Sequence, residues 1–237
     1  MAKYENIIIK FSGELFGSDT QSIHFPNYIK IAKELVSIKK NNKVKLSIVI
    51  GAGNIFRGRS TEGMNIDRAV ADYMGMLGTV INGLALQESM EKEGIQTRML
   101  TAVRMESLAE PYIRRRALRH LDKGRVVIFA GGVGSPFFTT DSAAALRACE
   151  IGCDLIIKAT NVDGAYDKDP KVHKNAKRYS KLSYKEALEK GINVMDGTAF
   201  ALCQKYNIPI LIMSANKIHL LGKALNKGLL KLGTLVS

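Results

Sequence analysis

The stretch Gly131-Gly132-Val133-Gly134-Ser135-Pro136-Phe137-Phe138-Thr139-Thr140-Asp141 gathers the residue types that hold a charged ligand. Glycines let backbone N–H groups come close to an anion. Thr139 and Thr140 add hydroxyl donors. The run from Ala143 to Ile151 reads as a helix, whose first amides face negative charge. Asp141 suits that helix start as a cap and against the dipole, so a purely structural aspartate remains open. Three further stretches place glycine and a cation where a strand would end. They are Lys10-Phe11-Ser12-Gly13-Glu14, Gly51-Ala52-Gly53-Asn54-Ile55-Phe56-Arg57-Gly58, and Lys158-Ala159-Thr160-Asn161-Val162-Asp163-Gly164. Glycine and cation at several strand ends is the layout of a ligand crevice in an open α/β sheet. The chain lacks G-x-x-x-x-G-K-[ST], so a phosphate clamp here is not a P-loop.

Elements that could carry these residues alternate along the chain. Strand-like runs fall near 5–11, 44–50, 95–100, 125–130, 153–158 and 208–213. Helix-like runs fall near 27–40, 67–93, 110–121, 140–151, 184–190, 196–205 and 217–228. The alternation predicts a mainly parallel sheet with helices on both faces. Val70, Tyr73, Met74, Leu77, Ile81, Leu84 and Glu88 recur at helical spacing, which reads as a face packed into the core. No repeat or long linker divides the chain, and 160–182 reads as a polar loop.

Composition narrows the function classes. With 46% hydrophobic residues, the 237-residue chain can bury a real core as one α/β domain. The apolar runs are short, and none approaches the roughly 18 residues of a membrane span. Ile7-Ile8-Ile9 is interrupted at once by Lys10, which gives no secretory apolar region and predicts a cytoplasmic protein. Cys149, Cys153 and Cys203, with four scattered histidines, form no metal-ligand spacing and read as reduced structural thiols. The net charge of +13 invites a nucleic-acid partner, but the positives are dispersed and no RNA-binding aromatic motif accompanies them. A solvated surface, or a general attraction for anionic substrates, is the better reading.

These segments resemble the amino-acid kinase superfamily and, within it, the bacterial-type uridylate (UMP) kinases. Lys10 to Glu14, Gly53 to Gly58, Asp72-Tyr73-Met74-Gly75-Met76-Leu77, Pro136 to Ala144 and Lys158 to Gly164 stand in the family's order over nearly the whole chain. The resemblance implies a three-layer αβα sandwich with a mainly parallel central sheet. It divides one domain, 1–237, into an acceptor-binding part at about 1–150 and an ATP-binding part at about 151–237. The implied reaction is phosphorylation of UMP by ATP with Mg²⁺, through direct in-line transfer.

In that reading Lys10 and Lys158 touch the transferring phosphates and Asp141 holds them in place. Asp196 is either a fourth catalytic residue or the N-cap of the helix that follows it. Ala52, Arg57, Asp72 and Val133, Gly134, Ser135, Pro136, Phe137, Phe138, Thr139 and Thr140 correspond to the UMP side. Lys10, Phe11, Ser12, Gly13, Gly53, Arg57, Thr160, Tyr166 and Asp169 correspond to the ATP side. Magnesium would arrive with ATP, held by phosphate oxygens and water rather than a protein metal site. The resemblance also implies that the 67–93 helix helps form a dimer within a homohexamer, that UTP can inhibit, and that 160–182 is ordered by ligand. Ala52, Val133 and Ser135 depart from the family pattern on the acceptor side. Residues 17–24 are poorer in glycine than the segment linked to GTP activation, so weak or absent activation is expected. Two alternatives stay open: a kinase acting on a carboxylate or carbamate, and a non-catalytic nucleotide-binding protein.

Overall fold

Unbroken β-branched runs such as Ile7-Ile8-Ile9 suit strands buried on both faces, and they form the middle of the sheet. The computed structural model describes residues 4–56, 66–170, 172–192 and 195–237. The first half runs β1 (Asn6–Phe11), a 3-10 turn (Gly13–Phe16), α1 (Phe25–Asn41), β2 (Lys45–Ile50), α2 (Arg68–Lys92), β3 (Thr97–Thr101), β4 (Glu110–Pro111), α3 (Arg114–Asp122) and β5 (Val126–Ala130). The second half runs α4 (Thr140–Ile151), β6 (Leu155–Thr160), β7 (Lys181–Leu182), α5 (Tyr184–Glu189) and α6 (Gly197–Lys205). It ends with β8 (Ile210–Ser214), a 3-10 segment (Ala215–Leu220), α7 (Leu221–Lys227) and β9 (Gly233–Val236).

The strands form one sheet in the order β4-β3-β5-β2-β1-β6-β8-β9-β7, parallel except for the antiparallel β8–β9 pair. Its two faces are covered by different helices. Ile7, Ile9 and Phe11 share a core with α1, α2, α7 and the second 3-10 segment. Ile8, Val49, Phe129 and Ile156 share the opposite core with α3, α4, α5 and α6. This is the three-layer αβα arrangement. β1 lies at its centre, with β2 on one side and β6 on the other, and a crevice at such a divergence opens beyond the strands' carboxyl ends.

The structure corrects the sequence reading at several elements. Residues 110–111 are a strand, because Pro111 pushes Glu110 into extended backbone, and α3 starts only at Arg114. The last predicted helix begins as 3-10 from Ala215 and becomes α-helical at Leu221. Two short strands, β7 and β9, were not expected. The largest correction concerns α2. Val70, Tyr73, Met74, Leu77 and Ile81 are each at least 42% exposed, Leu84 is half-buried and Glu88 exposed. The core-facing side of α2 is instead Ala71, Met76, Val80, Leu86 and Met90. Contrary to the sequence expectation, α2 is also long and apolar enough to cross a membrane, with mean hydropathy 1.3 in its best 18-residue window. Here its inner face lies on β3 and β5.

Candidate active site

Strand register brings the two cations together. Parallel pairing sets Lys10 of β1 opposite Lys158 of β6, and neighbouring strands lie about 4.8 Å apart. Side chains alternate across a sheet, so both lysines share the face of Ile8 and Ile156, the face that α4 covers. Two ammonium groups so placed repel unless an anion separates them. Asp141, in the first turn of α4, supplies it: Oδ1 lies 2.8 Å from Lys10 Nζ and Oδ2 2.7 Å from Lys158 Nζ. Asp141 is 8% exposed. Burial pushes its carboxyl up, but the charges and hydrogen bonds of the two lysines outweigh burial and hold it below its ordinary value. The result is a fixed group with one net positive charge at the carboxyl end of the central strands. The register is kept by ties at the other end of α4, where Asn6 Nδ2 donates to Ile151 O at 2.8 Å.

The glycine turns that follow β1 and β2 pack against each other. Gly13 packs against the second turn so tightly that a Cβ there would fall 2.4 Å from Gly53 N, and Gly51 N donates to Phe11 O at 2.9 Å. Phe11 itself is buried, so only its backbone faces the turn. Ala52 is buried too, its methyl seated over Gly78 of α2, where a Cβ would come within 2.8 Å. The departure at Ala52 is thus absorbed by α2.

Two α2 residues that the sequence reading passed over hold these turns. Asn82 is fully buried; it donates to Gly51 O at 2.8 Å and to Asn54 Oδ1 at 2.8 Å, and accepts from Tyr28 Oη at 2.6 Å. Burial pushes the Tyr28 phenol up to about 12, with Asn54 pulling the other way. One turn earlier, Thr79 Oγ1 accepts from Gly131 N at 2.8 Å. Gly131 has φ +74, and a Cβ there would fall 2.8 Å from Thr101 Oγ1, so no other residue fits there without strain. A polar residue inside an otherwise apolar helix was the available signal for both.

The structure places most of the residues expected on the acceptor side, and gives several of them partners. Thr139, rather than Asp141, is the N-cap of α4, accepting from Asp141 N at 3.0 Å and Ser142 N at 3.3 Å. Asp196 caps α6 through Ala199 N at 3.0 Å and accepts from Thr139 Oγ1 and, at 2.9 Å, from Ser142 Oγ. It therefore bolts the start of α6 to the start of α4 behind Asp141. Thr140 Oγ1 points toward the second turn, 3.6 Å from the space a Cβ on Gly51 would take. Asp72 accepts from Phe137 N at 2.8 Å and pairs with Arg68 at 3.0 Å, which joins α2 to the 133–140 segment. Phe137 holds φ +70, an uncommon state for a bulky residue, and with Phe138 and Ser135 it is exposed. Val133 packs against the core, while Gly134 and Pro136 are half-buried. Arg57, expected on both substrate sides, lies outside the described residues.

The expected donor residues come together. Lys158, Thr160, Tyr166 and Asp169 line one cavity of about 570 Å³, with Lys190 and Ile212 as walls that the sequence did not suggest. A polar cavity of about 440 Å³ is lined by Glu14, residues 17–22, Gly53 and Asn54. The cysteines read as packing: burial pushes Cys203 up to about 12 and raises Cys149 and Cys153.

The fold and this geometry define a class. The chain belongs to the amino acid kinase family, whose family model matches residues 5–214. Within it, the chain is similar to UMP kinases. The UMP kinase of Bacillus anthracis shares 39% identity over 99% of this chain and 96% of that one, with a TM-score of 0.94. The UMP kinase of Ureaplasma parvum shares 37% over 98% of each, with a TM-score of 0.91. The uridylate kinase of Archaeoglobus fulgidus, at 24% identity and TM-score 0.70, shares the fold.

Proposed function

We propose that this chain transfers the γ-phosphoryl group of ATP to UMP, giving ADP and UDP. The observation that carries the reading is the Lys10–Asp141–Lys158 group, which follows the 133–140 segment through Asp141 and lines the Thr160–Tyr166–Asp169 cavity through Lys158. Phosphoryl transfer asks for in-line positioning and neutralisation of charge more than for a strong base. Two lysines locked by one buried carboxylate supply that charge with little reorganisation as the reaction proceeds. Backbone amides of Ser12, Gly13 and Gly53 would cradle donor phosphates. Arg57, Asp72 and Val133 to Thr140 would hold UMP, with the hydroxyl of Thr140 directed at the crevice. Thr139 and Asp196 serve chiefly by fixing α4, and through it Asp141.

Magnesium fits this site as a companion of ATP. Both Asp141 oxygens are taken by lysines, so the ion would sit on phosphate oxygens and water, where it screens charge between phosphates. We further read the enzyme as a cytoplasmic homohexamer of dimers, its dimer contact made by the exposed apolar stripe of α2. UTP would inhibit by occupying the UMP site. GTP would activate weakly or not at all, since residues 17–22 present a polar, glycine-poor wall.

A coupled ADP-release assay with UMP, CMP, a glutamate derivative and carbamate tests the reaction. Turnover with UMP at least about 10²-fold above CMP in kcat/KM is expected if two base-edge hydrogen bonds are read. Turnover confined to glutamate or carbamate would replace UMP as acceptor. Nucleotide binding with no turnover on any acceptor would make the chain a non-catalytic member of the family.

A further inference from the structure

A lysine that reaches the loop of a candidate nucleotide site invites assignment as a phosphate ligand, and Lys217 reaches the loop that carries Tyr166 through Asp163. The structure gives it another task. Lys217 follows β8 in the second 3-10 segment, and its Nζ lies 3.3 Å from Asp163 Oδ2. Arg178 reaches the same carboxylate at 3.9 Å and donates to the Asp163 carbonyl at 2.9 Å. The other carboxylate oxygen, Oδ1, accepts from Tyr166 Oη at 2.5 Å. Tyr166 also pairs with Arg178 across an isolated antiparallel bridge.

These contacts converge on one ring. Tyr166 lines the donor cavity, half-buried, with its hydroxyl turned back into the loop. A phenol at the edge of a solvent-filled cavity can turn about two side-chain bonds, and a planar ring binds a flat base only if it stays in place. Asp163 fixes the hydroxyl, but a lone carboxylate on a loop has the same freedom. Two cations from elements far apart in sequence remove it. We propose that Lys217 and Arg178 are positioning residues for the donor nucleotide: they clamp Asp163, which holds the Tyr166 ring as a wall for the purine. Neither cation acts on the transferring phosphate. The assignment rests on the donor-site reading given above.

The contrast with Lys10 and Lys158 makes the test. Steady-state kcat, KM for ATP and KM for UMP are measured for K217M, K217R, Y166F, Y166A and the Y166F/K217M double variant. K217M is expected to raise KM for ATP roughly three- to tenfold, the size of a partly screened hydrogen bond to a charged group. Its kcat and its KM for UMP should stay within about twofold of the parent, because the loss falls on donor binding alone. K217R should restore KM for ATP. The double variant should be no worse than Y166F alone, because both substitutions cut one chain of contacts. Additive losses, equal rises in both KM values, no change, or a fall in kcat comparable to that of K10A would each overturn the clamp. Y166A, which removes the ring, separates the two readings. If Y166A raises KM for ATP while K217M and Y166F do not, the clamp fails and the donor site stands. If Y166A leaves KM for ATP untouched, the donor-site reading itself fails.

Discussion

Asp141 connects sequence, fold and chemistry at the scale of one residue. Its two oxygens separate cations that strand register forces together. Lys10→Ala or Lys158→Ala should lower kcat by about 10²-fold or more with smaller changes in KM for UMP, the cost of removing one preorganised donor. Near-normal kcat in both variants would remove them from the reaction. Asp141→Asn tests the electrostatics differently. A carboxyl held below its ordinary value near 3.8 contributes stability that is fully present above that value. The contribution is lost as pH falls through the depressed value. Urea midpoints measured from pH 7 downward should therefore show a smaller acid-side loss for D141N than for the parent. Parallel acid limbs in the two proteins would mean that the carboxylate is not stabilised in the fold. Of this group, the residue types and their places at strand ends were legible in the sequence. The bridge itself was not, because it depends on a register between strands about 150 residues apart in the chain, which no local pattern encodes.

Elements explain why the turns keep their shape. α2 is read from its spacing almost to the residue, yet the spacing misled about which side faces inward. A hydrophobic stripe at helical period marks a buried face only when the helix has one neighbour layer; α2 is apolar on both sides, with the sheet taking only one. The buried side carries Thr79 and Asn82, one turn apart, each bonded to a different glycine turn. The two-residue strands β4 and β7 escaped notice because a pair of residues shows no alternation, and β9 because its four residues depend on pairing with β8. Asn82→Leu keeps the branched outline of the side chain and removes four hydrogen bonds from a buried site. It should destabilise the protein by about 1–3 kcal/mol, the cost of leaving the Gly51 carbonyl and Tyr28 hydroxyl without partners. It should also raise KM for UMP, since the Gly51–Asn54 turn loses its brace. Chemical denaturation and initial rates read the two effects; unchanged values of both would show that the turn holds without α2.

For the whole molecule, the outer side of α2 is the feature that one chain leaves unsatisfied. Val70, Tyr73, Met74, Leu77 and Ile81 lie along a helix of 25 residues, roughly 37 Å at the usual rise. Isolated exposed apolar residues need no explanation, but a contiguous stripe marks an interaction surface. In a two-fold contact each residue is used twice, so one stripe laid against its copy can supply the core of an interface burying about 800 Å² per partner. The dispersed positive charge leaves this stripe free of lysine and arginine between residues 69 and 91, so repulsion between cations would not oppose the approach of two copies along it. Leu77→Glu with Ile81→Glu places two carboxylates on each side of such a contact, four in all. Burying unpaired charge costs several kcal/mol per ion, more than a standard interface can spare. Light scattering on a sizing column should show the parent as a multiple of the chain mass and the double variant as a smaller species. Its far-ultraviolet circular dichroism should be unchanged, because the substituted side chains are exposed in the single chain. A parent that elutes as a monomer would remove the dimer reading. A variant that keeps the parental mass would place the contact on another face and leave the stripe of α2 for a different partner.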